Sequence, residues 1–118
     1  MKQVIEKQLE WVTLTSWAIY SDKLHLATQT LTKKFNYEKC ILTNICAEAG
    51  ETAIKFARRW GYEVKKIMPN KAKIIFTKNH IWGKTHAAWA SSIDPSIHQY
   101  LGPYEEYNFT TIDYDDIE

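Results

Sequence analysis

Four groups of residues in this sequence have types that could do chemistry, and their spacing limits each one. Cys40, Cys46, His80 and His86 are the donor types of a zinc site. Residues 41–45 separate the cysteines and residues 81–85 the histidines, against roughly two to four intervening residues for typical zinc cysteine pairs and roughly three to five for histidines. Ordinary thiols and loop histidines account for them better. His80, His86, Ser91 and Asp94 supply the types of a hydrolytic triad, but they share one loop-rich stretch with no nucleophile-elbow pattern around the serine. Lys65, Lys66, Lys71, Lys73 and Lys78, interleaved with Phe76 and Trp82, have the composition of a nucleic-acid surface. With 15 Lys and Arg against 14 Asp and Glu the net charge is only +1, so a solvated lysine edge is the simpler account. The fourth group is Asn44-Ile45-Cys46-Ala47, where an apolar run enters a helix. Free backbone N–H groups and the positive end of the helix dipole meet there, and such junctions hold anions. Every strand-to-helix junction shares this geometry, so it names a class of ligand and no particular one.

The elements that must position these residues follow from periodicity. Ile5, Leu9 and Val12 predict a short opening helix, ended by Thr13, Thr15 and Ser16. Asp22 is placed to cap a second helix with Leu24, Ala27, Leu31 and Phe35 on one face, followed by a turn at Asn36-Tyr37-Glu38. Cys40-Ile41-Leu42-Thr43 reads as a strand buried on both faces. From Cys46 to Gly61, Ala49, Ala53, Phe56, Ala57 and Trp60 make an apolar stripe at helical spacing. Glu48 and Glu51 near its start and Lys55, Arg58 and Arg59 near its end complement the dipole; Glu51 can pair with Lys55, and Gly61 suits a left-handed stop. Ala72 to Thr77 has the β-branched and aromatic content of a second strand, completing a strand-helix-strand unit that is parallel and right-handed. Beyond Lys78 the pattern is loop-like, and Asp113-Tyr114-Asp115-Asp116 offers N-cap residues for a further helix.

The 118 residues suffice for one small α/β domain and leave no room for a second. No apolar run approaches the roughly 20 residues of a membrane helix, and charge gives no pull toward nucleic acid or membrane. Two cysteines and an opening without a secretory h-region imply an intracellular protein. Five Trp, seven Tyr and four Phe are more aromatic surface than so short a chain buries easily.

Phe35-Asn36-Tyr37-Glu38-Lys39, Glu48-Ala49-Gly50-Glu51-Thr52-Ala53-Ile54-Lys55, Ala57-Arg58-Arg59-Trp60-Gly61-Tyr62 and Lys71-Ala72-Lys73-Ile74-Ile75 closely resemble the ornithine aminotransferases of class III. Trp82-Gly83-Lys84-Thr85, Ser91-Ser92-Ile93-Asp94-Pro95, Gly102-Pro103 and, upstream, Leu14-Thr15-Ser16 and Ala18 extend the resemblance over nearly the whole chain. It implies residues 1–118 of a partial fold-type-I large domain, with short parallel strands and flanking helices. It further implies pyridoxal 5'-phosphate as cofactor, an amino-acid substrate, transfer of the δ-amino group of ornithine to 2-oxoglutarate, and a mitochondrial matrix or cytoplasmic setting. It leaves room for a homo-oligomer.

By the same resemblance Ile45, Cys46, Ala47, Ile81 and Trp82 fall at cofactor-binding positions and Lys84 at the substrate carboxylate, while the lysine that carries the cofactor and the aspartate paired with its ring nitrogen match nothing here. Ile45 stands where the family has a hydroxyl and Cys46 where it has glycine, which removes a donor and crowds the backbone. Ile81 replaces a stacking aromatic, Lys84 replaces an arginine and its bidentate fork, and Trp17 replaces another arginine. The implied chain is a truncated or decayed transaminase, inactive alone. The alternative is a non-catalytic small α/β protein, or a fragment that associates with full-length enzyme.

Overall fold

The computed structural model describes residues 1–16 and 18–116 and divides into two compact units, Met1–Leu42 and Thr43–Glu118. Trp17 lies outside the described residues.

The first unit holds helices α1 (Lys2–Leu9) and α2 (Asp22–Phe35). α1 ends before Val12, which keeps only a turn bond to the Gln8 carbonyl. Ser21, not Asp22, is the cap residue of α2, in extended conformation, and Asp22 is the first helical residue. Its carboxylate still sits where the dipole favours a negative charge. Asn36 closes α2 in the left-handed region at φ 57°, and the Tyr37 N–H returns to the Thr32 carbonyl, so the expected turn forms. Polar threonines are tolerated within α2 because Thr28 and Thr30 bond back to the carbonyls of Leu24 and Leu26. The Cys40 thiol lies 3.8 Å from the Thr28 carbonyl, which makes it a half-buried structural contact of this unit.

The second unit is an α/β arrangement of α3 (Cys46–Glu63), β1 (Ile74–Thr77), α4 (His86–Ala90), α5 (Pro95–His98) and β2 (Phe109–Ile112). Residues 40–43 form no strand, contrary to the sequence pattern. The parallel partner of β1 is β2, in the register Ile74 with Phe109 through Thr77 with Ile112. A run such as Cys40–Thr43 becomes a strand only where a neighbour accepts its hydrogen bonds, and the two-stranded sheet consists of β1 and β2. β1 also starts two residues later than its composition implies, because the Ala72 carbonyl accepts the Asn108 side-chain amide instead of entering the ladder. The stretch beyond Lys78 is therefore not mere loop: it supplies the crossover that a parallel pair requires. α4 and α5 are too short to show a helical period, and Phe109–Ile112 is a brief alternating run hidden behind polar aromatic sequence. At the tail, Asp115 takes a left-handed φ of 66° and no helix begins among the described residues.

α3 turns inward the face opposite to its apolar stripe. Ala47 and Gly61 are buried and Gly50, Glu51, Ile54 and Arg58 half-buried, whereas Ala49, Ala53 and Ala57 are exposed, Phe56 is 56% exposed and Trp60 53%. Gly61 is not a left-handed stop. It lies inside the helix, where an added Cβ would stand 3.3 Å from Ile67 Cδ1, and the chain reverses later, at Lys66 with φ 57°. Arg58 reaches across to the sheet, its guanidinium 5.3 Å over the Phe109 ring and its Nη2 donating to the Tyr107 carbonyl. Arg59 pairs with Glu63 at 2.9 Å, and the expected Glu51–Lys55 pair is replaced by a longer-range partner for Glu51 described below.

Asp94 caps α5, accepting the Ser96 N–H at 2.9 Å and the Ser96 hydroxyl at 2.8 Å. These bonds, the hydroxyl first, hold its carboxyl below the ordinary aspartate value. A depressed folded-state value means the contribution is present above the unfolded pKa and fades as pH falls through the folded one. In an acid titration followed by NMR, the Ser96 amide should shift with a midpoint below the ordinary aspartate value. Asp94→Ala should abolish that shift and leave amides of α3 unmoved.

Candidate functional site

The site is built where the loop of residues 80–85 lies on the first turns of α3. The helix begins at Ile45, an extended residue with φ −141° and ψ 164° whose side chain makes no capping bond. Its carbonyl accepts the Ala49 N–H at 3.2 Å and the Thr43 hydroxyl, so the N–H groups that open the helix have no side-chain acceptor supplied by the cap residue. Glu48, in the first turn, accepts the Asn44 N–H at 2.8 Å. This places a carboxylate at the positive end of the dipole, where it competes with any anion that approaches.

Two glycines allow the loop to close on the helix. A Cβ on Gly50 would lie 2.2 Å from Cε3 of Trp82, and one on Gly83 would lie 2.7 Å from the Cβ of Ala47. Trp82 is held from its other side as well. Its indole N–H donates to the Ser91 hydroxyl at 3.0 Å, which donates to the Ala88 carbonyl at 2.7 Å. Ser91 is 1% exposed, and its carbonyl meets His80 Nε2 at 3.0 Å. Phe76 of β1 stacks on both His80 and Trp82 at centroid distances of 5.0 and 6.2 Å. Thr85 caps α4 by accepting the Ala88 N–H and donates its own hydroxyl to Glu51 Oε1 at 2.6 Å, tying the loop's far end to α3.

Of the six residues singled out in the sequence, Ala47 and Trp82 are thus brought into one packed layer. Ile45 and Cys46 stand exposed at the helix start, Ile81 is 81% exposed and Lys84 is exposed. Beside them lies a cleft of about 210 Å³ lined by His80, Ile81, Trp82, Lys84, Trp89 and Ile97. Gly50, Gly83, Glu51 and Thr85 are not among the sequence-derived site residues, and Ser91 enters there only through the triad pattern, though all five stand inside the Glu-Ala-Gly-Glu, Trp-Gly-Lys-Thr and Ser-Ser motifs. The glycines are marked by the lack of a side chain at contact positions, Glu51, Thr85 and Ser91 by their hydrogen-bonding groups. The residues of the triad pattern have other partners: His86 bonds Tyr107 Oη and the Leu101 carbonyl, both at 2.9 Å, and Asp94 serves Ser96. The lysines of the basic pattern are dispersed, with Lys78 paired to Asp113 and Lys65 over Trp60.

The class III aminotransferase family model matches residues 1–118, and the chain belongs to that family. Among relatives, it is 44% identical to the mitochondrial ornithine aminotransferase of Rattus norvegicus over 115 residues, covering 98% of this chain and 26% of the rat protein. It is also 44% identical to the ornithine aminotransferase of Vigna aconitifolia over 110 residues, 93% of this chain and 26% of that protein. A crystal structure of the ornithine aminotransferase of Toxoplasma gondii superposes with a TM-score of 0.91 at 40% identity, over 98% of this chain and 27% of that one. The chain therefore spans about a quarter of the length of the relatives it matches. No helix among the described residues is long and apolar enough to cross a membrane.

Alanine at Gly50 sets two effects against each other. Helix propensity favours Ala by about 1 kcal/mol. The overlap with the Trp82 ring forces the indole away from Ser91, and overpacking of this kind costs about 1–3 kcal/mol with the lost hydrogen bond adding to it. Gly50→Ala should therefore be net destabilising by roughly 1–3 kcal/mol in urea denaturation and should alter the near-UV circular dichroism of Trp82. Ala53→Gly on the open face should cost only about 1 kcal/mol, with an unchanged near-UV spectrum.

Proposed function

We propose that this chain is the phosphate-cradling portion of an ornithine aminotransferase-like enzyme, one that moves the δ-amino group of ornithine to 2-oxoglutarate with pyridoxal 5'-phosphate. We further propose that the chain alone does not carry out the transfer. The observation that carries the reading is the seating of the 80–85 loop on the start of α3 through Gly50 and Gly83, which brings the loop that carries Ile81, Trp82 and Lys84 against the helix whose opening N–H groups have no side-chain cap.

The residues present fit a phosphate group through main-chain donors. The opening N–H groups of α3, at Cys46 and Ala47, have no side-chain cap and would hold the phosphate. The fit is thin for three reasons: Ile45 offers no hydroxyl, Cys46 carries a side chain where the resembled loop has glycine, and the Glu48 carboxylate shares the dipole end. Ile81 and Trp82 would flank the ring, and Lys84 would meet a substrate carboxylate as a point charge without a bidentate fork. When bound, the cofactor supplies an electron sink for the substrate carbon that loses its proton. Trp82 fixes the loop, and Thr85 and Glu51 hold its far end. No lysine of this chain matches the position that would carry the cofactor.

Titration of the chain with pyridoxal 5'-phosphate should perturb the Cys46 and Ala47 amides in NMR spectra, and a titration in which both stay still would sink the cradle assignment. Restoring a hydroxyl and a glycine with Ile45→Thr and Cys46→Gly should tighten binding roughly 10- to 150-fold, since one added hydrogen bond to a charged group is worth about 1.5–3 kcal/mol. Glu48→Gln should tighten it by roughly two- to fivefold, from a dipole-end charge effect of about 0.3–1 kcal/mol. A coupled assay with ornithine, 2-oxoglutarate and the cofactor should show no transfer above a protein-free control. Measurable turnover would refute the inactivity of the isolated chain and leave the cradle assignment standing.

A further inference from the structure

A further cleft of the second unit lies at the other end of the sheet from the 80–85 loop. β1 and β2 run parallel and the loop follows the carboxyl end of β1, whereas Ala72 and Asn108 stand before the first residues of the two strands. The Asn108 side-chain amide donates to the Ala72 carbonyl at 3.0 Å and joins the two strand starts. Both residues line a cleft of about 510 Å³, together with Arg58, Tyr62, Asn70, Glu105 and Glu106. Small-molecule sites commonly occupy about 300–1,000 Å³. None of these residues lines the cleft beside the loop.

The charges in this cleft are not matched to one another. Arg58 is half-buried, donates from Nη2 to the Tyr107 carbonyl and lies over the Phe109 ring, yet it forms no ion pair among the described residues. Its Nε is buried and has no hydrogen-bond partner among them. A guanidinium has five N–H donors, and a cation partly withdrawn from water favours an anion beside it. The carboxylates are uncommitted as well. Glu105 accepts only the neighbouring Tyr104 N–H, at 3.0 Å, and Glu106 pairs with no cation among the described residues. A simple anion would meet two carboxylates here, and a simple cation would meet the guanidinium. A ligand with one carboxylate and two cationic groups satisfies all three. We propose that this cleft binds a free α-amino acid with a cationic side chain, its carboxylate at Arg58 and its two cationic groups at Glu105 and Glu106. Tyr62 and Asn70 add neutral polar groups to the same wall. The site needs no cofactor and uses no residue of the 80–85 loop.

The test is an NMR titration of the 118-residue chain with L-lysine at constant ionic strength and without cofactor. Saturable shifts are expected at the amides of Asn70, Ala72, Glu106 and Asn108, with those of Cys46 and Ala47 unmoved. Both carboxylates are exposed, so a Kd of roughly 1–10 mM is expected. Cadaverine, which lacks the carboxylate, should bind about tenfold more weakly, and norleucine, which lacks the side-chain ammonium, about two- to fivefold more weakly. Glu106→Gln should weaken L-lysine by about two- to fivefold with an unchanged far-UV circular dichroism spectrum. Arg58→Gln should abolish the preference for L-lysine over cadaverine; if the loss of its bond to Tyr107 unfolds that variant, Glu106→Gln and the two analogues decide the matter. The proposal is overturned by an absence of saturable shifts, by shifts confined to residues 45–47 and 80–85, by cadaverine or norleucine binding as well as L-lysine, or by indifference to Glu106→Gln.

Discussion

The contact of Trp82 with Gly50 organises the second unit. The indole lies on α3 where no side chain intervenes, its N–H is fixed by a fully buried Ser91, and Phe76 stacks with it. Helix, strand and loop are thus joined through one ring. Buried hydrogen bonds of this kind contribute about 1 kcal/mol each, but their greater effect is geometric: with the ring fixed, Gly83 must come against Ala47 and the loop's main chain must face the helix start. Thr85 and Glu51 then close the other end of the loop.

What the sequence made legible was the helical content of its long segments, because α2 and α3 carry enough turns for a period to show. It also showed the strand character of Ile74–Thr77. The partner of that strand was not legible. Cys40–Thr43 has the composition of a buried strand and Phe109–Ile112 barely does, yet pairing depends on what the crossover brings alongside, which no local pattern reports. The direction of α3 misled for a related reason: hydrophobicity marked one face, whereas the face that packs is marked by smallness, with Ala47, Gly50 and Gly61 admitting close neighbours. The candidate site divides in the same way. Its positions came from motif resemblance, but the residues that assemble them are the glycines, Ser91 and Thr85, whose role appears only when the loop is seen lying on the helix.

Charge at the helix start is balanced against function in a way that neither feature shows alone. Glu48 completes the opening of α3 by taking the Asn44 N–H, which favours a well-formed helix in the absence of any ligand. The same carboxylate lowers the attraction of that helix end for an anion. In the proposed cradle the cap residue is apolar Ile45, so the Glu48 carboxylate that orders the helix start also opposes the phosphate that the proposal places there.

The inward-facing smallness of α3 and its outward-facing aromatics also bear on how this sequence can change over generations. Growth at Gly50 or Gly83 is blocked by atoms already in place. Phe56 and Trp60 are each more than half open to solvent, and the Lys65 ammonium over the Trp60 ring is a weak constraint beside the blocked glycines. In a lineage where the chain functions alone, those two aromatics would be free to drift toward polar residues while the glycines stayed fixed. Their retention or loss among close relatives of this chain would therefore report whether that face is under packing constraint.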